Sequence, residues 1–296
     1  MIKLPRICIP IGLECNLSCR YCFRDKSRRE LPSKISNLMK DFLRQLDPET
    51  CEVVCINGGE PLLYFEIITE LFSYVPNNIH KKIITNGTLL TPEIVDYINN
   101  NNIELCVSHD GKNTQYLRGV DILKDSNIVK LLNQVHTLTI QTVVTQYSND
   151  IMDCYNYIVN SLGRCDFHYI VLDFIETGCN EDLIQNFDYD LFTKSYREYL
   201  DTVIQPSPNY YRISLPESKQ RAGFNIDLEG NVIGISTLLS YGTVLNTYSE
   251  CLQEKSRIDE TYCKSVTCPY IGNCLGTSQN AGPHYCKCIR IRSGRI

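Results

Sequence analysis

Up to about residue 205, short apolar runs alternate with amphipathic segments, and this alternation limits the chain to very few folds. The strand-like runs are Ile7–Ile11, Glu52–Ile56, Lys82–Thr85, Glu104–Ser108, Leu138–Val144 and Phe167–Phe174. Helical periodicity follows them around 33–46, 64–75, 91–101, 125–133, 151–162 and 188–204. Strands joined through helices must lie parallel, and six β-then-α units in succession argue for a parallel sheet curled into a partial (β/α)6 barrel, an α/β fold. Barrels of this kind collect their functional groups on loops at the C-terminal ends of the strands.

Those loops carry the informative residues. Cys15, Cys19 and Cys22, spaced C-x3-C-x2-C, follow the first strand, and Gly58-Gly59-Glu60-Pro61 follows the second. Thr85-Asn86-Gly87 follows the third and Ser108-His109-Asp110-Gly111 the fourth. Three thiolates on one loop can hold three irons of a [4Fe–4S] cube and leave the fourth open, since such clusters normally take four cysteines. The competing reading is a zinc loop, which needs another Cys or His nearby.

Composition excludes several classes. A chain of 296 residues can bury one sizeable core plus a smaller appendage. Its net charge of −5 offers no basic footprint for nucleic acid, and the short basic run Lys26 to Arg29 reads as a solvated face. Sixteen cysteines would suggest disulfides in a small secreted chain, but Met1–Pro10 has no apolar region of signal-peptide length. No apolar stretch approaches a membrane span. The expectation is a cytoplasmic protein whose thiols are reduced or metal-bound.

The triplet, with Tyr21 before its last cysteine, resembles the signature of radical S-adenosylmethionine (SAM) enzymes. In that family the open iron is chelated by SAM, and the reduced cluster cleaves SAM to a 5′-deoxyadenosyl radical that abstracts hydrogen from an unactivated C–H bond. The resemblance implies that Gly58, Gly59 and Glu60 lay backbone against the SAM amino group. It also implies a ribose contact from Ser108 and a carboxylate contact from Asn86, each of which otherwise reads as a turn-capping residue. Ser108-His109-Asp110-Gly111 with Tyr116 and Arg118 resembles the segment found in members with a C-terminal SPASM or twitch extension, so Arg118 is a candidate for the SAM carboxylate. His109 stands where the family is usually apolar and reads as a packed or solvent-facing histidine.

Beyond Pro206 and Pro208 the pattern changes. Phe224–Ile235 reads as a hairpin turning at Glu229-Gly230-Asn231, and from Cys251 the chain is cysteine-dense. This stretch, 206–296, resembles a SPASM extension that keeps one of two auxiliary [4Fe–4S] clusters. The resemblance implies Cys263, Cys268, Cys274 and one of Cys286 or Cys288 as ligands, with Cys286 preferred. The other auxiliary site is vacated: the hairpin has no cysteine, and Ser236 and Ser278 stand where ligands are usual. A structural zinc on the same four thiolates is the alternative.

The remaining cysteines default to small buried hydrophobes. Cys106 shares its strand face with Ser108, and Cys179 follows the sixth strand. Either is a candidate hydrogen donor to a substrate radical, with Asp173 and Glu176 as candidate bases. The architecture implies maturation of a ribosomally made precursor peptide, by a thioether or carbon–carbon cross-link or by epimerisation. Alternatives are activation of a folded protein, as in sulfatase maturation, small-molecule chemistry, or a non-catalytic iron–sulfur protein. Expected partners are the peptide and a reductant such as flavodoxin or ferredoxin; because Cys15 lies near the start of the sequence, the peptide is expected either to need a separate recognition protein or to dock directly on the barrel and extension. No membrane or nucleic acid is expected.

Overall fold

The computed structural model describes residues 4, 6–22, 31, 33–172, 180–204, 224–233, 240–247, 249–251 and 253–254. One nine-stranded sheet organises them. Six parallel strands lie side by side in chain order: β1 (Arg6–Pro10), β2 (Val53–Asn57), β3 (His80–Thr85), β4 (Ile103–Ser108), β5 (Leu138–Val143) and β6 (His168–Leu172). The helices between them are α1 (Asn37–Arg44), α2 (Phe65–Tyr74), α3 (Pro92–Asn100), α4 (Thr114–Arg118), α5 (Ser126–Gln134) and α6 (Ile151–Leu162), and α7 (Tyr189–Tyr199) follows β6.

Local chemistry sets the helix starts. Ser36, Thr91, Asp125, Asp150 and Asp188 each accept a first-turn backbone N–H, satisfying donors that would otherwise be orphaned. Gly163 ends α6 in the left-handed conformation. The Asn99–Asn102 run ends α3 and turns, with Asn102 at φ 50°.

Alternation along the strands separates two environments. Ile7, Ile9, Val54, Ile56, Ile83, Leu105, Val107 and Ile140 are fully buried in the apolar core shared with the helices. The opposite, lumen-facing positions are polar: Cys8, Cys55, Lys82, Glu104, Cys106, Thr139 and Gln141. Glu104 Oε2 meets His80 Nε2 at 2.6 Å, while its Oε1 accepts from Lys82 Nζ at 2.6 Å and Thr139 Oγ1 at 2.5 Å.

The hairpin expected over Phe224–Ile235 is present as β7 (Phe224–Ile226) and β8 (Asn231–Ile233), and Gly230 takes φ 90° in its turn. It is joined to the barrel: β7 pairs parallel with β1, and β9 (Ser240–Thr243) continues the sheet beyond β8. The expected boundary at 205/206 lies outside the described residues. α4 and β9 were not anticipated, because four or five residues carry no readable periodicity. The helix expected over 188–204 ends at Tyr199 and passes into a π-helical turn, Leu200–Ile204.

Burial raises the Glu104 pKa, but His80, Lys82 and Thr139 more than offset this and hold the carboxyl well below its usual range. A depressed folded-state pKa adds stability above the unfolded pKa of about 4.3, and that stability is lost as pH falls through the folded value. Glu104→Gln should therefore be less stable than wild type at pH 7, with the difference shrinking as pH falls below about 4. Urea unfolding midpoints across that range measure it.

Candidate active site

Because β1 to β6 are parallel, their C-terminal ends open on one face, and the loops singled out above meet there. The chain leaving β1 runs beside the loop leaving β2. Gly59 N–H donates to Gly12 O at 3.0 Å and Glu60 N–H to Glu14 O at 2.8 Å. The approach is close enough to require glycine. A Cβ on Gly58 would sit 2.9 Å from both Ile11 O and Gly12 O, and one on Gly59 would collide with Leu13 O and Glu14 O. The nearest reason for the glycine pair is thus the backbone that leads into the cysteine loop. Glu60 is fully buried and its carboxylate turns towards β3, accepting from Thr85 Oγ1 at 2.6 Å, Leu62 N at 3.0 Å and Asn86 N at 2.7 Å. Burial raises its pKa, and these donors counteract part of the rise.

Asn86 reaches the first cysteine. Its Nδ2 donates to Asn16 Oδ1 at 2.8 Å and approaches Cys15 Sγ at 3.8 Å, while its Oδ1 accepts from Thr88 N and Oγ1. Asn16 closes the circuit by donating to Thr88 Oγ1 at 2.7 Å. Leu17 N–H also points at Cys15 Sγ, at 3.4 Å.

The last two cysteines are held from the other side. Arg20 N–H donates to Leu117 O at 2.8 Å, and Tyr21 Oη donates to Asp110 Oδ2 at 2.6 Å. Asp110 is fully buried and receives a two-pronged contact from Arg118, Nε at 2.7 Å and Nη2 at 3.2 Å, with Val143 N at 3.0 Å. Burial works against the Arg118 charge, but Asp110, with Tyr21 and Cys19, outweighs it and holds the guanidinium protonated. Arg118 therefore anchors the cysteine loop through Asp110 and Tyr21. Any contact it makes with a SAM carboxylate is additional to that duty. His109 is packed and fully buried: Nδ1 accepts from Gly111 N at 3.2 Å, so Nε2 carries the hydrogen directed at Asp121 Oδ1, 2.9 Å away.

The three thiols fit the group the resemblance implies. They lie on one loop and close enough that Cys15 and Cys22 both influence Cys19, whose pKa is raised, chiefly by burial. Cys22 is exposed and Cys15 and Cys19 are partly so. Among the described residues no three His, Cys, Asp or Glu side chains converge on one ion, as a zinc site requires. Three cysteines on one loop are the donor set that three irons of one cube would take.

Ser108 accepts from Gln141 Nε2 at 2.8 Å, and Cys106 Sγ lies 3.4 Å from Gln141 Oε1. Burial pushes the Cys106 thiol up to about 11, so it is protonated at neutral pH. Asn57, immediately before the glycines, has a buried Oδ1 with no partner among the described residues. Sequence reading gave no site role to Asn57, Asn16, Asp110 and Gln141; Asp110 stood inside the quoted Ser108–Gly111 segment, and the others were signalled at most by lying at or near strand ends. Asp173, Glu176 and Cys179, and the auxiliary set Cys263, Cys268, Cys274, Cys286 and Cys288, lie outside the described residues.

Residues 9–145 match the model of the Radical SAM superfamily. The radical SAM cyclopropyl synthase TigE of Paramaledivibacter caminithermalis is 24% identical over 196 residues, 54% of this chain and 41% of that protein. The AdoMet-dependent heme synthase of Methanosarcina barkeri is 25% identical over 244 residues, 74% of this chain and 67% of that one. The chain spans about half the length of the first curated relatives it matches. Two solved structures share the fold. Native anSMEcpe with bound AdoMet has a TM-score of 0.67 at 16% identity, covering 98% of this chain and 96% of that one. Streptococcus suis SuiB bound to precursor peptide SuiA has a TM-score of 0.64 at 17% identity, covering 96% and 75%.

Removing the partner of a buried ion pair leaves an uncompensated charge, at a cost of about 3–5 kcal/mol. Asp110→Ala should lose stability on that scale in urea unfolding. It should also bind less iron than wild type after anaerobic reconstitution, because Tyr21 loses its anchor.

Proposed function

We propose that this protein is a radical SAM peptide maturase: it uses a 5′-deoxyadenosyl radical to remove hydrogen from a residue of a ribosomally made precursor peptide, which is then cross-linked or epimerised. The observation that carries the reading is the loop of Cys15, Cys19 and Cys22, held on one side by Asn86 and on the other by the Tyr21–Asp110–Arg118 network. When bound there, a [4Fe–4S] cluster with SAM on its open iron supplies the radical.

The chain's own residues bind and orient. Cys15, Cys19 and Cys22 are the iron ligands. Gly58, Gly59 and Glu60 hold the β2 loop against the cysteine loop, leaving the outer edge of that loop for the SAM amino group. Asn86 and Ser108 stand at adjoining strand ends, placed for the carboxylate and ribose, and Asn57 Oδ1 offers a buried acceptor to a ligand donor. Cys106, held as a protonated thiol, has the form a hydrogen donor requires. Asp173, Glu176 and Cys179 remain candidate bases and donor at the end of β6.

A peptide substrate is supported by a relative named a mycofactocin maturase and by the fold shared with a protein solved with its precursor peptide bound. A reductant of the flavodoxin or ferredoxin type and a separate peptide-recognition protein belong to this reading. So does one auxiliary [4Fe–4S] cluster on Cys263, Cys268, Cys274 and Cys286, able to accept the electron that cross-linking releases. The heme synthase relative keeps a small-molecule substrate as the second reading. Among the described residues no helix is long and apolar enough to cross a membrane.

Anaerobically reconstituted protein should carry about eight irons, falling to about four in Cys15→Ala/Cys19→Ala/Cys22→Ala. With dithionite it should convert SAM to 5′-deoxyadenosine and methionine, and Cys19→Ala should not. Methylthioadenosine as product would refute the reaction class. Cys268→Ala should keep SAM cleavage yet lose about four irons; unchanged iron would remove the auxiliary cluster.

A further inference from the structure

We infer that Cys8 and Cys55, in the lumen at the N-terminal half of the barrel, form a redox-active dithiol that exchanges with small-molecule disulfides of the glutathione class. The pair is separate from the cysteine loop, which leaves the opposite ends of the strands. Cys8 and Cys55 are register partners on β1 and β2, and both face the lumen because their neighbours Ile7, Ile9, Val54 and Ile56 are buried in the core. Partners on adjacent strands lie about 4.8 Å apart at Cα, inside the roughly 4.4–6.8 Å that a disulfide spans. The two thiols are close enough for each to perturb the ionisation of the other.

The surroundings differentiate the two thiols. Cys55 is fully buried, while Cys8 is partly exposed beside Arg6, itself exposed at the strand's start. Arg6 bears on both sulfurs, and Lys82 faces them from β3. From β7, Asn225 stands in register with Cys8 and is 1% exposed, with an Nδ2 donor that has no partner among the described residues. On β4, Glu104 is already occupied by His80, Lys82 and Thr139, and the Cys106 thiol lies against Gln141. The lumen thus offers positive charge and an unused donor to one added anion. The neighbouring Cys55 thiol, helped by Arg6 and Lys82, lowers the Cys8 pKa, and the same pairing together with burial raises that of Cys55.

A thiolate beside a protonated thiol sets the order of exchange. Cys8 thiolate attacks one sulfur of glutathione disulfide, forming a mixed disulfide and releasing one glutathione thiolate. Cys55, on losing its proton, attacks the Cys8 sulfur, closes the Cys8–Cys55 bond and releases the second. Two protein thiols are oxidised and one glutathione disulfide is reduced to two glutathiones.

The test uses the full-length, cluster-loaded protein under anaerobic conditions. It is equilibrated with graded mixtures of glutathione and glutathione disulfide, then unfolded and quenched with iodoacetamide for peptide mass mapping. The expected product is a Cys8–Cys55 linked peptide pair, formed while the core thiols Cys51 and Cys154 remain alkylated and iron content is unchanged. Cys55→Ser should stop at a glutathione adduct on Cys8. In the untreated folded wild type, Cys8 should react with iodoacetamide about tenfold or more faster than Cys55 at pH 7. The inference is overturned if both cysteines stay alkylated throughout, or if the wild type stops at a Cys8 adduct. Equal alkylation rates for the two thiols in folded wild type would overturn it without any variant.

Discussion

The path of the backbone from β1 into the cysteine loop has almost no freedom, and the remaining site is arranged around that restriction. Gly59 and Glu60 extend the β1–β2 pairing past the strand ends by donating to Gly12 O and Glu14 O. Side chains would not fit between the two segments, so the glycines are a packing requirement before they are anything else. Cys15 leaves this clamp directly, and its position is therefore set by a sheet that is itself buried. Glu60 then ties the clamp sideways to β3 through Thr85 and Asn86, so three consecutive strand ends are linked by hydrogen bonds.

Charge is used in two distinct ways around this frame. At the mouth, Asp110 and Arg118 form a buried pair whose oxygens are fully engaged by Tyr21 and Val143, so the pair is satisfied and acts as a fixed post for the cysteine loop. Replacing such a pair with apolar groups is often neutral for stability, so its value here is positional. Deep in the lumen, Glu104 is more than balanced by Lys82 and by Arg6 near the barrel's start, and the excess positive charge falls on Cys8 and Cys55.

The hairpin after the barrel is part of the same sheet. Through β7 it covers the edge of β1 that a six-stranded parallel barrel would leave unpaired. That pairing protects an exposed strand edge and brings Asn225 into the lumen beside Cys8. The segment resembling a cysteine-rich extension is thereby coupled to the strand that launches the first cysteine loop.

Much of this was legible in the amino-acid order, because the relevant chemistry is local. The spacing of Cys15, Cys19 and Cys22 is a property of one loop, strand ends announce themselves through Gly58-Gly59 and Thr85-Asn86, and caps such as Asp125 and Asp150 act within one turn. Element bounds agreed with expectation to within a few residues for the same reason. What the sequence could not show was facing. Parallel strands buried on both sides read as continuous apolar runs, so Cys8 and Cys55 looked like core hydrophobes. Only the register of β1, β2 and β4 turned them into a charged lumen. Likewise Asp110 and Arg118 are eight residues apart, and nothing local joins them to Tyr21, which precedes Asp110 by 89 positions. Closing that distance requires the sheet to bring the ends of β1 and β4 to one face, which tertiary structure alone decides.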